Sequence, residues 1–196
     1  MAYTAQKSHM IRLARVWATP LWLVVRTSKE ADVVRQDVDR WIECIGNDAL
    51  RSLDLFSRFA YLAGALTEFR NVVHFRLRSS PLPIRLLARL CYRPERSLVI
   101  EAESIGPGLF VHHGTGTIIH ARSIGSNFWV NQHASVGFSA KGIPTIGNNV
   151  RVAAGAVVAG PIDIGDNVVI GANAVVVKDV PAGTVMAAPL ARPLGK

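Results

Sequence analysis

From Ile146 onward the apolar positions of the chain step by six: Ile146, Val152, Val158, Ile164, Ile170 and Val176. A second track runs beside it through Val150, Ala156, Ile162, Val168, Ala174 and Val180, and the same beat, less regular, occurs upstream at Ile105, Val111, Ile124, Val130 and Val136. An antiparallel sheet would alternate every second residue, with hairpin turns at intervals of roughly 8 to 12 residues. This chain does neither. A period of six predicts a β-helix whose three short strands complete one triangular turn in about 18 residues. The aliphatics would stack down the prism axis. Glycine, which follows the first track at Gly147, Gly165 and Gly171, and asparagine would serve the corners where φ turns positive. Between Val136 and Ile146 the step lengthens, so the segment "FSAKGIPT" is expected to loop out of the wall and to mark a site margin.

The other half of the chain has a different texture. "SKEADVVRQDVDRWIECI" begins with a serine suited to cap a helix and places Val33, Val34, Val38, Trp41, Ile42 and Ile45 at helical spacing. Residues 48 to 77 repeat the pattern, read as two helices broken near Gly64, and a short helix is expected from Pro83 to Leu90. The fold class is therefore α+β, with an α-helical N-terminal domain over residues 1–96 and a left-handed parallel β-helix over residues 97–196.

Charge follows the same division. Residues 1–96 hold 16 Lys/Arg against 9 Asp/Glu, whereas residues 97–196 hold 6 against 5. A basic field attracts nucleic acid, anionic lipid or acidic substrate alike. No long run of Lys/Arg occurs and aromatics are only 7% of the chain, so a nucleic-acid platform is not expected. The two cysteines, Cys44 and Cys91, lie in no metal-binding spacing and read as reduced thiols. The apolar run from Val16 to Val25 contains Pro20 and is about half the roughly 20 residues that span a bilayer. No small-residue cleavage site follows it. The expectation is a cytoplasmic chain, with peripheral contact at the inner membrane face left open.

The segment "LFVHHGTGTIIH" sets His112 and His113 side by side before a glycine-rich turn. Together with "SIGPGLFVHHGTGTIIH", "VNQHASVG" and the closing "VVVKDVPAGTVMAAPLARPLG", it resembles the hexapeptide-repeat acetyltransferases of the serine O-acetyltransferase type. Within that group the likeness is drawn to the polysaccharide-modifying relatives of the colanic-acid kind. It covers the second half of the chain, and "EFRNVVHFRL" looks like a helical segment that often precedes this domain.

The resemblance implies a homotrimer, or a dimer of trimers, with acetyl-CoA as co-substrate in a groove between adjacent prisms and no metal. Its base motif, a histidine followed by a small residue, threonine and glycine, falls on His113, Gly114, Thr115 and Gly116. The serine enzymes carry aspartate where this chain has His112, a second histidine where it has Ile143, and an acidic residue where it has Leu98. Glu101 and Glu103 lie nearby but out of register. These departures turn the expected acceptor toward a sugar or polysaccharide precursor, with serine as the alternative.

Transfer of an acetyl group from a thioester to a hydroxyl requires a base for the hydroxyl proton, and histidine, ordinarily titrating at about pH 6.5, suits that task. His113 is expected to act as the base. His112, on the preceding strand position, is expected to point the other way and to join the catalytic site either by supporting the base or by binding the acceptor. Asn131, Gln132 and His133 are candidate hydroxyl binders, and His120 reads as a surface residue. Ala153, Ala154, Gly155, Ala172 and Asn173 are candidate rungs beneath the pantetheine arm. Lys178, Arg192 and Lys196 are candidate partners of the adenosine phosphate. Two other classes remain: a zinc carbonic anhydrase of the gamma type, whose histidine spacing is missing here, and a non-catalytic scaffold.

Overall fold

A computed structural model describes residues 2–191, with side chains from Met10 onward. Six helices precede the strands: α1 (Ala2–Thr27), α2 (Ala31–Ile45), α3 (Asp48–Arg51), α4 (Leu55–Ala65), α5 (Thr67–Arg76) and α6 (Leu82–Cys91), with a 3₁₀ turn at Leu77–Ser79. The apolar run around Pro20 lies inside α1, whose Ala18, Leu21 and Val25 are buried against the helices that follow. No helix among the described residues is long and apolar enough to cross a membrane.

Two local expectations are corrected. Ser28 does not cap α2. Its hydroxyl donates to the Val25 carbonyl at 2.7 Å and accepts from the Glu30 N–H at 3.3 Å, closing the turn after α1. The break between α4 and α5 falls at Leu66 rather than Gly64. There the Arg70 guanidinium donates to the carbonyls of Ala63 and Gly64 at 2.6 and 2.8 Å, satisfying acceptors that a helix end leaves free.

From β1 (Val99–Ile100) the chain winds into a left-handed parallel β-helix of about five turns, with strands of two or three residues in three sheets. Every position of both six-residue tracks is buried. Thr145 pairs with Asp163, 18 residues on, whereas Ser123 pairs with Thr145, 22 on. The extra residues turn out of the wall through a small Ser139–Gly142 bridge and leave Phe138 exposed. The corner glycines divide by cause. Gly147, Gly165 and Gly171 do not have positive φ; they admit close approach of the next coil, and a methyl at Gly165 would lie 2.5 Å from the Ala182 nitrogen. Left-handed backbone falls instead on Asn127, Asn149 and Asn167, whose side-chain amides form a ladder at 3.1 and 3.2 Å, and on His113 and His133.

The helices are bonded to the first coil through a buried ion pair. Asp37 of α2 and Arg76 of α5, 1% and 2% exposed, meet side-on at 2.8 and 3.1 Å. Asp37 also accepts from the N–H groups of Gly108 and Leu109, and Arg76 donates to the carbonyls of Ile105 and Gly106. Burial pushes the Asp37 carboxyl up from the ordinary carboxylate range, against the pull of Arg76 and the two N–H donors. Trp41 donates to the Leu109 carbonyl at 2.7 Å, and its ring meets Phe110 edge to face. The buried side chains form one continuous cluster from α1 to the last coil. Replacing Arg76 with alanine strands a carboxylate in this core and is expected to lower unfolding stability by about 3–5 kcal/mol, measured by urea denaturation. Asp37→Asn keeps an acceptor for the loop N–H groups but leaves the buried Arg76 guanidinium without its counter-charge, so a loss of similar size is expected.

Candidate functional site

One edge of the prism carries most of the residues singled out by the sequence. β3 (Phe110–His112) ends at His113, β6 (Trp129–Asn131) at Gln132 and His133, β9 (Arg151–Val152) at Ala153 to Gly155, and β12 (Val169–Ile170) at Ala172 and Asn173. Successive coils are bonded along this edge: the His133 N–H donates to the Thr115 carbonyl, the Gly155 N–H to Gln132 and the Asn173 N–H to Ala154. The candidate cofactor rungs and the histidines therefore form one column. Lys178 does not join it, since it follows β13 (Val175–Val176) at the next corner. Arg192 and Lys196 lie outside the described residues.

His113 has φ 54°, a conformation that histidine tolerates better than most side chains but that still costs energy. This twist overturns the expectation that His112 and His113 diverge. Alternation holds only while the strand continues, and the left-handed residue swings the second ring back beside the first, centroids 4.1 Å apart. His113 is exposed and His112 half-buried. His133, also left-handed at φ 57°, packs against Gly116, where a methyl would come within 2.7 Å of its Nδ1. His120, half-buried, sits past β4 (Ile118–Ile119) at the following corner and is separate from the pair.

A chain of hydrogen bonds fixes the tautomer of His112. The Trp129 indole N–H can only donate, and it donates to Asn131 Oδ1 at 2.7 Å. The Asn131 amide nitrogen therefore faces His112 Nδ1, at 3.2 Å, and donates to it. The neutral ring then carries its proton on Nε2, leaving a free donor. Desolvation, followed by the neighbouring His113, lowers the His112 pKa below the ordinary imidazole value, while Glu68 opposes the shift. His112 is thus held neutral near pH 7.

Position 98, where the resemblance expects an acidic residue, carries leucine, and the acidic residue that approaches the pair from elsewhere in the chain is Glu68. Leu98 is buried under Gly114. The half-buried Glu68 comes from the first turn of α5, where a carboxylate suits the helix dipole, and its Cγ would lie 3.1 Å from a methyl on Gly114. Only glycine at 114 admits this approach without displacement. Along the "EFRN" segment Phe69 is core, Arg70 closes α4, Asn71 bonds the carbonyls of Glu95 and Leu98, and Glu68 accepts from the Thr67 hydroxyl at 3.3 Å. Glu101 and Glu103 are exposed elsewhere on the first coil.

A cavity of about 660 Å³ lies between α5, α6 and the first coil. Gln132 Oε1 is enclosed on the edge and lacks a hydrogen-bond partner. Among the described residues no three His, Cys, Asp or Glu side chains converge as metal ligands would.

A family model described as bacterial transferase hexapeptide (six repeats) matches residues 143–178. Over 97 residues the chain is 42% identical to a serine acetyltransferase of Helicobacter pylori (strain ATCC 700392 / 26695), covering 47% of this chain and 57% of that protein. The chain thus spans less than two thirds of the length of the curated relatives it matches. The serine acetyltransferase of Neisseria gonorrhoeae in complex with serine superposes with a TM-score of 0.62 at 24% identity, over 87% of this chain and 72% of that one. Isoform 3 from Entamoeba histolytica, in complex with cysteine, gives 0.60 at 23%, over 84% and 60%. These structural likenesses establish the fold. The colanic-acid likeness expected from His112 and Ile143 has no support from these relatives.

Asn131→Asp would place a carboxylate against His112 Nδ1 and is expected to raise that imidazole's pKa, read by NMR titration of the ring resonances. An unchanged His112 titration would overturn the hydrogen-bond chain drawn above.

Proposed function

We propose that this chain is an acetyl-CoA-dependent O-acetyltransferase of the serine acetyltransferase type, with His113 as general base and serine as the acceptor. The observation that carries this reading is the exposed, left-handed His113 at the head of a column of small residues, with Glu68 approaching the adjacent Gly114. The 42% identity to a protein named serine acetyltransferase favours serine.

The acceptor hydroxyl attacks the thioester carbonyl while His113 removes its proton. As the tetrahedral intermediate collapses, the C–S bond breaks and the proton passes to the departing thiolate. Glu68 orients the imidazole and stabilises its cation between the two steps. The neutral His112 directs its Nε2–H at the oxyanion or at the acceptor. Small rungs at Ala154, Gly155 and Ala172 let the pantetheine arm lie close, and Gln132 Oε1 accepts one of its amide N–H groups. A homotrimer would close the groove, and Ile118 and Val175, outward and 45% and 66% exposed on one sheet, suit a surface covered by a neighbouring copy.

A sugar acceptor is the second reading. His112, Asn131, Trp129 and Arg151, whose guanidinium lies 4.0 Å over the Trp129 ring, form a wall across three coils. At about 4.8 Å per coil it extends roughly 10 Å, longer than serine requires.

His113→Ala is expected to lower turnover about 10²- to 10⁴-fold while leaving oligomer mass unchanged, followed by thiol release from acetyl-CoA. Glu68→Gln should lower kcat with little change in the KM for acetyl-CoA. A panel of L-serine and sugars in the same assay decides the acceptor, and release with neither would overturn the serine and sugar readings together.

A further inference from the structure

α6 is amphipathic in the wrong sense for a helix that only braces a core. Leu82, Leu86, Leu87 and Leu90 are 59 to 68% exposed, whereas Ala88 is its one buried residue. α1 also carries outward apolar side chains, with Leu13 and Val16 at 71% and 75% exposure. The two helices approach each other at two places. Trp17 and Tyr92 meet at 4.5 Å and share a hydrogen bond at one end, and Val24 and Ile84 line a common cavity at the other. Isolated exposed leucines are ordinary, but four on one short helix, with further exposed apolar side chains on α1, mark an interaction site.

Its charge selects the partner. Neither helix contains an acidic residue. Arg85 and Arg89 of α6, with Arg78 and Arg96, line the cavity of about 660 Å³ at the foot of the helix, which also contains Glu95, Glu101 and His74. A second copy of the chain, meeting this face through a two-fold axis, would set arginine against arginine. A bilayer of anionic lipid offers both an apolar depth for the leucines and phosphates for the arginines.

We propose that the outer faces of α1 and α6 dock the protein on the surface of an anionic phospholipid bilayer. The leucines enter the boundary between headgroups and acyl chains, and the arginine-lined cavity takes a headgroup phosphate. This surface is separate from the histidine edge, so the inference does not depend on the acceptor or on the reaction.

Flotation of the full chain with vesicles tests it. Binding is expected to phosphatidylcholine vesicles containing roughly one-third phosphatidylglycerol and to fall steeply with salt or on pure phosphatidylcholine. Leu87→Glu with Leu90→Glu should weaken it by about tenfold or more. Arg85→Gln with Arg89→Gln should weaken it by about fivefold per arginine. All four side chains are exposed, so circular dichroism and thiol release should remain as in the parent chain. The proposal is overturned if the parent chain fails to float with anionic vesicles at low salt, or if the leucine variant floats equally well. It is also overturned if that variant loses oligomer mass and keeps its vesicle binding, which would assign the face to a second copy.

Discussion

The Asp37–Arg76 pair holds the helical half of the chain to the first coil of the prism. In isolation such a pair costs more desolvation than its attraction returns. Here the remaining lone pairs and protons are satisfied by Gly108, Leu109, Ile105 and Gly106, all on the coil being bound. The ion pair therefore acts as a positional lock with directional bonds. Because Arg76 ends α5 and Glu68 lies in its first turn, fixing one end of that helix fixes where the carboxylate arrives beside Gly114.

The prism itself is regular where it only has to stack and irregular where the pair lies. Asparagines take the left-handed positions at one corner and bond to one another. At the histidine edge, the first two coils put His113 and His133 in that conformation, where neither can join an amide ladder. The first coil also uses Gly116 at φ 64°, and the lower coils use Gly155 and Asn173, so the two histidines carry left-handed backbone that other coils give to glycine or asparagine. Such a pattern is characteristic of a surface that binds something.

The tracks of aliphatics were legible because burial on a β-helix depends only on local period; each predicted inward residue is inward. Inferences that required a partner distant in sequence were not legible. Glu68 reaches the site only because α5 folds back on the first coil, and no spacing within the strands announces it. His112 was misplaced for a smaller reason: strand alternation was extended across one residue whose φ is positive. The glycines after the first track have a steric task rather than the conformational one expected of them, since the two causes leave the same letter in the sequence.

The helical half is more than a cap for the open end of the prism. A cap needs to bury Ile105, Leu109 and Phe110, and α2 and α5 suffice for that. α6 adds little to the core, yet it retains leucines facing outward and arginines facing the cavity. α5 lies between the two surfaces, with Glu68 at its start beside the histidines and Asn71, His74 and Phe75 lining the cavity along its length. A load taken by α6 would thus bear on the helix that positions the carboxylate, and the Asp37–Arg76 lock is what keeps that helix in register.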